Sequence, residues 1–252
     1  MSTVRLDLTE RVAWLTLEKP PWNLMDAAML RELDQALNEL AGNRDASILV
    51  LSGAGIEAFT GGFDLSGLNP ASLGDHVKAF HVIVKKLVKL PQAIVVAADG
   101  VAYGAGLGLA CVGDIVLASD RSRMGFPQIR YGIIPAIVAV TLPTICGRTA
   151  ANDLMLTGGT IDAHRAQAVG LVSRVFPAEE FDESLRGVVA RLAELSPAVL
   201  RLTARTMRSR WLPGFDAALD EVETSYLAEL MKEPDMAEGL KAAQEDRKPT
   251  WR

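Results

Sequence analysis

The chain has 252 residues, a length that can bury a sizeable hydrophobic core in one or two domains. Its 26 basic and 31 acidic side chains give a formal net charge of −5, and the lack of a basic block argues against a nucleic-acid partner. Cys111 and Cys146 are too few for a disulfide framework, and no histidine and carboxylate residues have the spacing of a metal site.

Short apolar segments alternate with helical patterns over most of the chain. Five segments are predicted as strands: Val12 to Leu17, Ser47 to Leu51, Ala93 to Ala98, Ile115 to Ser119 and Leu171 to Phe176. The clearest helical pattern runs from Asp26 to Leu40, where leucines recur three or four residues apart. Strands that alternate with helices predict an α/β architecture with a buried sheet.

After Ser196-Pro197 the pattern becomes entirely helical, with breaks at Pro213-Gly214 and Pro234. We therefore predict a core region of residues 1–195 and a helical region of residues 196–252. These amphipathic helices could cover their own core or a subunit interface. The N-terminus lacks the layout of a secretion signal, and no apolar stretch reads as a membrane-spanning helix, so we expect a cytoplasmic protein without a membrane partner.

Two glycine-rich turns are the main functional signal. GAGIEAFTGGFDLSGL, at residues 53–68, follows one predicted strand, and YGAGLGLACVGD begins at Tyr103 after another. Glycine lets the backbone approach a ligand closely, and a helix that starts near Ala105 leaves unpaired N–H groups at its first turn. Neither turn forms a dinucleotide or P-loop fingerprint, and no GxSxG elbow is present, which disfavours nucleotide and serine-nucleophile chemistry.

The same turns lie in a longer series of motifs. AFTGGFDL and GVAYGAGLGLACVGD are followed in order by FPQIRYGIIP, LMLTGGTIDAHRAQAVGLVSRVFP and EGLKAAQEDRKPTW. Together they resemble the enoyl-CoA hydratase/isomerase, or crotonase, superfamily, from Trp14 to Trp251. The resemblance implies a spiral of β-β-α units whose C-terminal helical region packs subunits into a homotrimer or a dimer of trimers. It also implies an acyl-CoA substrate and no cofactor apart from the coenzyme A of that substrate.

By matching position, the resemblance makes Phe63 and Ala105 the donors of an oxyanion hole. Their backbone N–H groups would stabilise the charge that develops on a thioester oxygen, by roughly 3 to 4 kcal/mol per donor. The resemblance places the substrate near a further set of residues: Trp22, Asn23, Leu24, Gly61, Gly62, Asp64, Leu65, Gly104, Gly106, Pro127 and Lys248. Lys19 is a second candidate for the nucleotide phosphates, whereas Asp64 also reads as a residue that holds its tight turn.

The two glutamates that hydratases use are replaced in this chain, because Gly108 and Gln128 occupy the matching positions. Neither residue can shuttle a proton, although an amide can orient water. We therefore expect ordinary hydration to be weak or absent. Decarboxylation of a malonyl-type thioester fits the residues better, since loss of carbon dioxide itself generates the enolate. Hydrolysis of a thioester or a carbon–carbon bond, a double-bond shift and non-catalytic acyl-CoA binding remain open.

Four other residues are candidate proton donors. His76 and His81 lie on a predicted helix after the GFDL motif, where a histidine could titrate near pH 7. Tyr103 and Tyr131 flank family motifs, and a phenol with a pKa near 10 serves more readily as a donor than as a base. Each of the four also fits an ordinary packing or surface role. Ala136 occupies the place of the nucleophilic aspartate of dehalogenating members, which disfavours that branch.

Overall fold

The computed structural model describes residues 2–134, 136–211 and 214–252. Within these ranges the strands are β1 (Val4–Thr9), β2 (Val12–Leu17), β3 (Ile48–Gly53), β4 (Ala58–Thr60), β5 (Ala93–Ala98), β6 (Val101–Tyr103), β7 (Ile115–Ser119), β8 (Arg123–Gly125), β9 (Thr160–Asp162) and β10 (Arg174–Phe176). The helices are α1 (Ala27–Gly42), α2 (Pro70–Lys89), α3 (Ala105–Cys111), α4 (Ala136–Thr157), α5 (Ala163–Ala168), α6 (Phe181–Ala193), α7 (Pro197–Trp211), α8 (Phe215–Ala228) and α9 (Pro234–Gln244). Pro135, which ends the FPQIRYGIIP motif, and Pro213, a predicted helix breaker, lie outside the described residues.

The strands form two sheets. The larger has the order β1-β2-β3-β5-β7-β10 and is parallel apart from β1, whereas the smaller has the order β4-β6-β8-β9. Along the chain, β3 and β4, β5 and β6, and β7 and β8 each place one strand in the larger sheet and the next in the smaller, before a helix follows. The chain therefore winds as a spiral of β-β-α units.

The larger sheet is covered on both faces. In β3, Leu49 and Leu51 belong to the main core, whereas Ile48 and Val50 pack in a second cluster with α6 residues such as Val188. Successive side chains of a strand point to opposite faces, and parallel sheets are typically covered on both sides. This explains why the predicted strands are continuous apolar runs rather than alternating ones.

The C-terminal helices differ in what they cover. Leu219 and Tyr226 of α8 and Met236 of α9 are fully buried in the main core, together with residues of the larger sheet. Val199 and Leu202 of α7, in contrast, are exposed. One core thus joins residues on both sides of the boundary predicted at residues 195 and 196. No helix in the described ranges is long and apolar enough to cross a membrane.

Helix α7 is attached to the core by one buried arginine. The Nε atom of Arg208 lies 3.1 Å from an Asp114 carboxylate oxygen, and its guanidinium donates hydrogen bonds to the carbonyl oxygens of Leu87 (3.0 Å) and Gln92 (2.5 Å). Asp114 also accepts a hydrogen bond from the backbone N–H of Ile94. Because both charged groups are largely removed from water, each depends on the other for compensation.

Candidate active site

The first glycine-rich turn pairs with the segment that precedes α1. The N–H of Met25 donates to the carbonyl oxygen of Gly62 (2.8 Å), and the N–H of Asp64 donates to the carbonyl oxygen of Met25 (3.0 Å). In such a parallel pairing the residue between the two bonded positions, Phe63, turns its own N–H to the opposite side. No residue in the described ranges accepts a hydrogen bond from this N–H.

The second glycine-rich turn packs against the first at Gly62. Gly62 has a φ of +101°, and a Cβ atom at this position would lie 2.9 Å from the carbonyl oxygen of Tyr103 and 3.3 Å from the nitrogen of Ala105. Only glycine permits this backbone at such close approach. Ala105 is the first residue of α3, so its N–H has no partner within the helix, and no other described residue accepts from it.

Phe63 and Ala105 border one cavity, which has about 40 Å³ of free space. Aliphatic and aromatic side chains form most of its wall, including Val77, Phe80 and Ile137. The polar side chains among its described lining residues are Gln128, His81 and Tyr226, and none of these lining residues has a carboxyl group.

Gly108 lies on the side of α3 that faces α4 and α2. A Cβ atom at this position would lie 2.5 Å from Cγ2 of Ile137 and 3.5 Å from Cε1 of Phe80. The space that a glutamate would need is therefore filled by apolar groups. Glycine at position 108 thus allows α3 to pack tightly against α4.

Gln128 lies beside the second turn, in a short 3-10 helix at Pro127–Tyr131. Its Nε2 atom donates to the carbonyl oxygen of Gly61 (3.3 Å), and a Cβ atom on Gly104 would lie 2.8 Å from the same nitrogen. Its Oε1 atom is enclosed and has no partner among the described residues. Because a carbonyl oxygen can only accept, Nε2 must face Gly61, which leaves Oε1 as an unpaired acceptor at the cavity.

His81 of α2 reaches the cavity and pairs with a residue of α8. Its Nδ1 atom lies 2.6 Å from Oε2 of Glu223, and the imidazole is almost completely buried. Burial lowers the pKa of His81 below its ordinary value, although the hydrogen bond with Glu223 opposes this shift. Tyr226, on the same side of α8 as Glu223, also lines the cavity, and its buried hydroxyl has no partner among the described residues. Burial raises the pKa of Tyr226.

The other three candidate proton donors do not line this cavity. His76 donates from Nδ1 to the carbonyl oxygen of Ser72 (2.8 Å), and its ring packs edge-on near that of Phe63, with centroids 6.2 Å apart. Tyr103 and Tyr131 are half-buried elsewhere. Of the four candidates, the structure therefore brings only His81 together with the two free amides.

The loop of Trp22, Asn23 and Leu24 supports the first turn. Asn23 is fully buried with a φ of +46°, its amide donates to the carbonyl oxygens of Ala54 and Ala58, and its Oδ1 accepts from the N–H of Lys19. Its side chain is thus committed to the loop and is not available to a substrate, whereas Trp22 is exposed. The N–H of Gly61 in turn donates to the carbonyl oxygen of Trp22.

Asp64 holds the turn that presents Phe63. Its carboxylate accepts hydrogen bonds from the Ser66 N–H (3.1 Å) and hydroxyl (2.5 Å), and it lies 3.0 Å from Nζ of Lys19. Partial burial opposes ionisation, but these hydrogen bonds lower the pKa of Asp64. Lys19 also pairs with Asp26 at 2.8 Å, so in this structure it bridges two carboxylates and does not stand free for a phosphate.

An open groove of about 470 Å³ adjoins the cavity, and the two share Phe63 and Leu65. Leu24 and Gln244 line its other parts, and Gln244 donates to the carbonyl oxygen of Leu65 (2.8 Å). Lys248 is exposed but does not line this groove. Gly106 has a packing role instead, because a Cβ atom there would lie 2.4 Å from the carbonyl oxygen of Thr60.

Comparison with known proteins agrees with this arrangement of the loops. The family model for enoyl-CoA hydratase/isomerase matches residues 7–252. The chain belongs to this family.

Among its relatives, a cyclohexa-1,5-dienecarbonyl-CoA hydratase from Thauera aromatica is 32% identical over 237 residues, covering 94% of this chain and 91% of the relative. A putative enoyl-CoA hydratase from Thermus thermophilus is 33% identical over 239 residues, covering 91% of this chain and 92% of the relative. The crystal structure of an enoyl-CoA hydratase from Mycobacterium avium subsp. paratuberculosis superposes with a TM-score of 0.90 at 25% identity. The match covers 99% of this chain and 98% of that structure. The protein is therefore an acyl-CoA-processing enzyme of the hydratase/isomerase family.

These comparisons also confirm the predicted fold class, a crotonase-like α/β spiral of β-β-α units with a C-terminal helical region. Glu223 and Tyr226 were not predicted from the sequence. The two are polar residues three positions apart on an amphipathic helix, a spacing that places them on one face. Nothing in the sequence indicates that this face packs over α2.

Proposed function

We propose that the protein binds an acyl-CoA thioester with its carbonyl oxygen between the N–H groups of Phe63 and Ala105, and that it processes the ester through an enolate. One observation carries this proposal: two amides that have no acceptor among the described residues border the same apolar cavity, and their loops are in close contact at Gly62. Fixed donors in a site of low polarity stabilise developing negative charge far better than water does.

The same geometry suggests how the ester lies. The acyl group would occupy the apolar cavity, and the coenzyme would extend into the open groove, which meets the cavity at Phe63 and Leu65. Free space of about 40 Å³ favours a short acyl group. For comparison, an apolar cavity of ~150 Å³ can bind benzene.

The side chains of the cavity wall limit which reactions the site can catalyse. Hydration of a simple enoyl thioester by a glutamate mechanism needs carboxyl groups that activate water and deliver a proton, and no described lining residue has a carboxyl group. Gln128 offers an acceptor that can hold water, but it cannot take up the proton. We therefore propose that glutamate-dependent hydration of crotonyl-CoA is not the main activity, although relatives carry the name hydratase.

Decarboxylation of a malonyl-type thioester is the second candidate. The absence of carboxyl groups from the described cavity wall favours it, because this reaction needs no base to form the enolate. The carbon–carbon bond breaks, carbon dioxide leaves, and the electron pair of the broken bond moves into the thioester. The resulting oxyanion would then lie between the same two amides.

A screen of purified protein against four classes of ester tests these proposals. Crotonyl-, 3-enoyl-, malonyl-type and β-keto-acyl-CoA are incubated separately, products are identified by mass spectrometry, and binding is measured in parallel. We expect binding of CoA esters and turnover of an ester other than crotonyl-CoA. Hydration of crotonyl-CoA at the rate of an ordinary hydratase contradicts the role given to Gly108 and Gln128. Binding without any product favours a non-catalytic binder, and no binding refutes the proposal.

We also propose that the protein assembles as a homotrimer or a dimer of trimers. Family membership supports this, as do the exposed apolar side chains of Val199 and Leu202 on α7, which an interface would cover. Light scattering should then give a mass that is a multiple of three times the 27.0 kDa chain. A monomer at micromolar concentration contradicts the proposal.

A further inference from the structure

The cavity contains polar atoms that the folded chain leaves unpaired. In the described ranges, three enclosed side-chain atoms have no hydrogen-bond partner, and two of them, Gln128 Oε1 and Tyr226 Oη, belong to residues that line this cavity. Buried polar groups are nearly always hydrogen-bonded, so such exceptions need an explanation. Two of the three enclosed atoms therefore belong to residues of one cavity wall, where a bound ligand would be a nearby source of partners.

The third polar side chain of the cavity has the arrangement of an acid–base group. Nδ1 of His81 lies 2.6 Å from the Glu223 carboxylate, which can only accept, so Nδ1 carries a hydrogen. In the neutral ring Nε2 is then the unprotonated nitrogen, and no described residue is bonded to it. A carboxylate that fixes the tautomer and orientation of an imidazole is a recurring feature of catalytic histidines.

We propose that His81 is the proton-transfer residue of this cavity and that Glu223 positions it. This inference rests on the proposed function. Nε2 removes a proton from the carbon next to the thioester: the C–H bond breaks, an N–H bond forms, and the electron pair moves into the thioester. The enolate oxygen then accepts hydrogen bonds from the amides of Phe63 and Ala105. In the reverse step Nε2–H returns that proton to carbon, and the N–H electron pair stays on Nε2.

The charges around His81 determine how this step responds to pH. Glu223 and Asp220 of α8 favour the protonated ring, whereas Lys85 of α2, which pairs with Asp220, disfavours it. Burial is the largest effect and lowers the pKa of His81 below its ordinary 6.5. A lowered pKa favours the neutral ring near pH 7, as a base requires, and proton removal should slow as the pH falls through that lowered pKa.

Exchange of α-protons measures this step without knowledge of the natural substrate. The full-length protein is incubated with 3-butenoyl-CoA in D2O, deuterium uptake is followed by mass spectrometry, and affinity for the same ester is measured by calorimetry. His81→Asn keeps a donor toward Glu223 but has no titratable ring. We expect it to bind the ester normally and to exchange about 100-fold more slowly or worse, which is the usual contribution of a general base. The matched control is His164→Gln, an exposed histidine of α5, which should exchange at the wild-type rate.

The variant Glu223→Gln tests whether Glu223 acts on His81 or only supports the fold. The carboxylate favours the imidazolium, so its loss should move the acidic limb of the exchange profile to lower pH. An unshifted limb overturns the role of Glu223, and wild-type exchange in a folded His81→Asn variant overturns that of His81. Both results leave the proposed function intact. If the wild-type protein neither binds nor exchanges the ester, the proposed function itself fails, and the inference fails with it.

Discussion

The contact at Gly62 permits a sharp test, because the substitution Gly62→Ala adds a single carbon between the two free amides. At a φ of +101° an alanine is strained by roughly 1 to 3 kcal/mol. The new methyl group would also lie 2.9 Å from the carbonyl oxygen of Tyr103 and 3.3 Å from the nitrogen of Ala105, and such overpacking typically costs about 1 to 3 kcal/mol. The two effects together lower the free energy of unfolding by about 2 to 6 kcal/mol.

Gly147→Ala is the matched control. Gly147 has a φ of +76°, and no atom lies within 4 Å of its added Cβ, so only strain applies there. Denaturant unfolding should therefore show a larger loss for Gly62→Ala than for Gly147→Ala. Deuterium exchange should fall by about 100-fold or more in the first variant only, since misplacing one oxyanion donor has an effect of this order. If Gly62→Ala matches the control in both stability and exchange, the amides of Phe63 and Ala105 do not act together.

Three further substitutions test other parts of the structure. Gly108→Glu should destabilise the protein and should not restore hydration of crotonyl-CoA, because the new Cβ atom would lie 2.5 Å from Cγ2 of Ile137. A rise in the hydration rate, measured by absorbance, contradicts this prediction. Arg208→Met leaves Asp114 buried without its partner, so the free energy of unfolding, measured with denaturant, should fall by about 3 to 5 kcal/mol. A decrease below about 1 kcal/mol indicates that the ion pair is dispensable. Tyr226→Phe removes a hydroxyl that has no partner among the described residues, so the melting temperature should be unchanged or higher while ester binding weakens. Clear destabilisation shows that the hydroxyl is already bonded in the free protein.

The longer elements could be predicted from sequence because their apolar runs are continuous. The bounds of β5 and β7 agree with those predicted, whereas β10 begins only at Arg174, because Leu171 and Val172 turn back and donate to the carbonyl oxygen of Ala166. The four strands of the smaller sheet have three residues each, too few for any periodicity to show. In β1 the alternation of VRLDLT was present in the sequence, but the strand was not predicted.

The candidate site was predictable to the extent that it depends on the backbone. Phe63 and Ala105 could be placed by motif, because their surroundings lie within two local turns. Glu223 and Tyr226 could not, since only the packing of α8 against α2 brings Tyr226 to the cavity and Glu223 to His81. Tyr103 was a candidate because it neighbours a motif in sequence, but nearness along the chain does not determine which way a side chain faces.

Helix α8 supplies both Glu223 and Tyr226, and it lies near the end of the chain. His81 and its partner Glu223 are 142 positions apart in the chain. A change in how α8 lies against α2 would therefore alter the cavity wall at Tyr226 and the orientation of the imidazole at the same time.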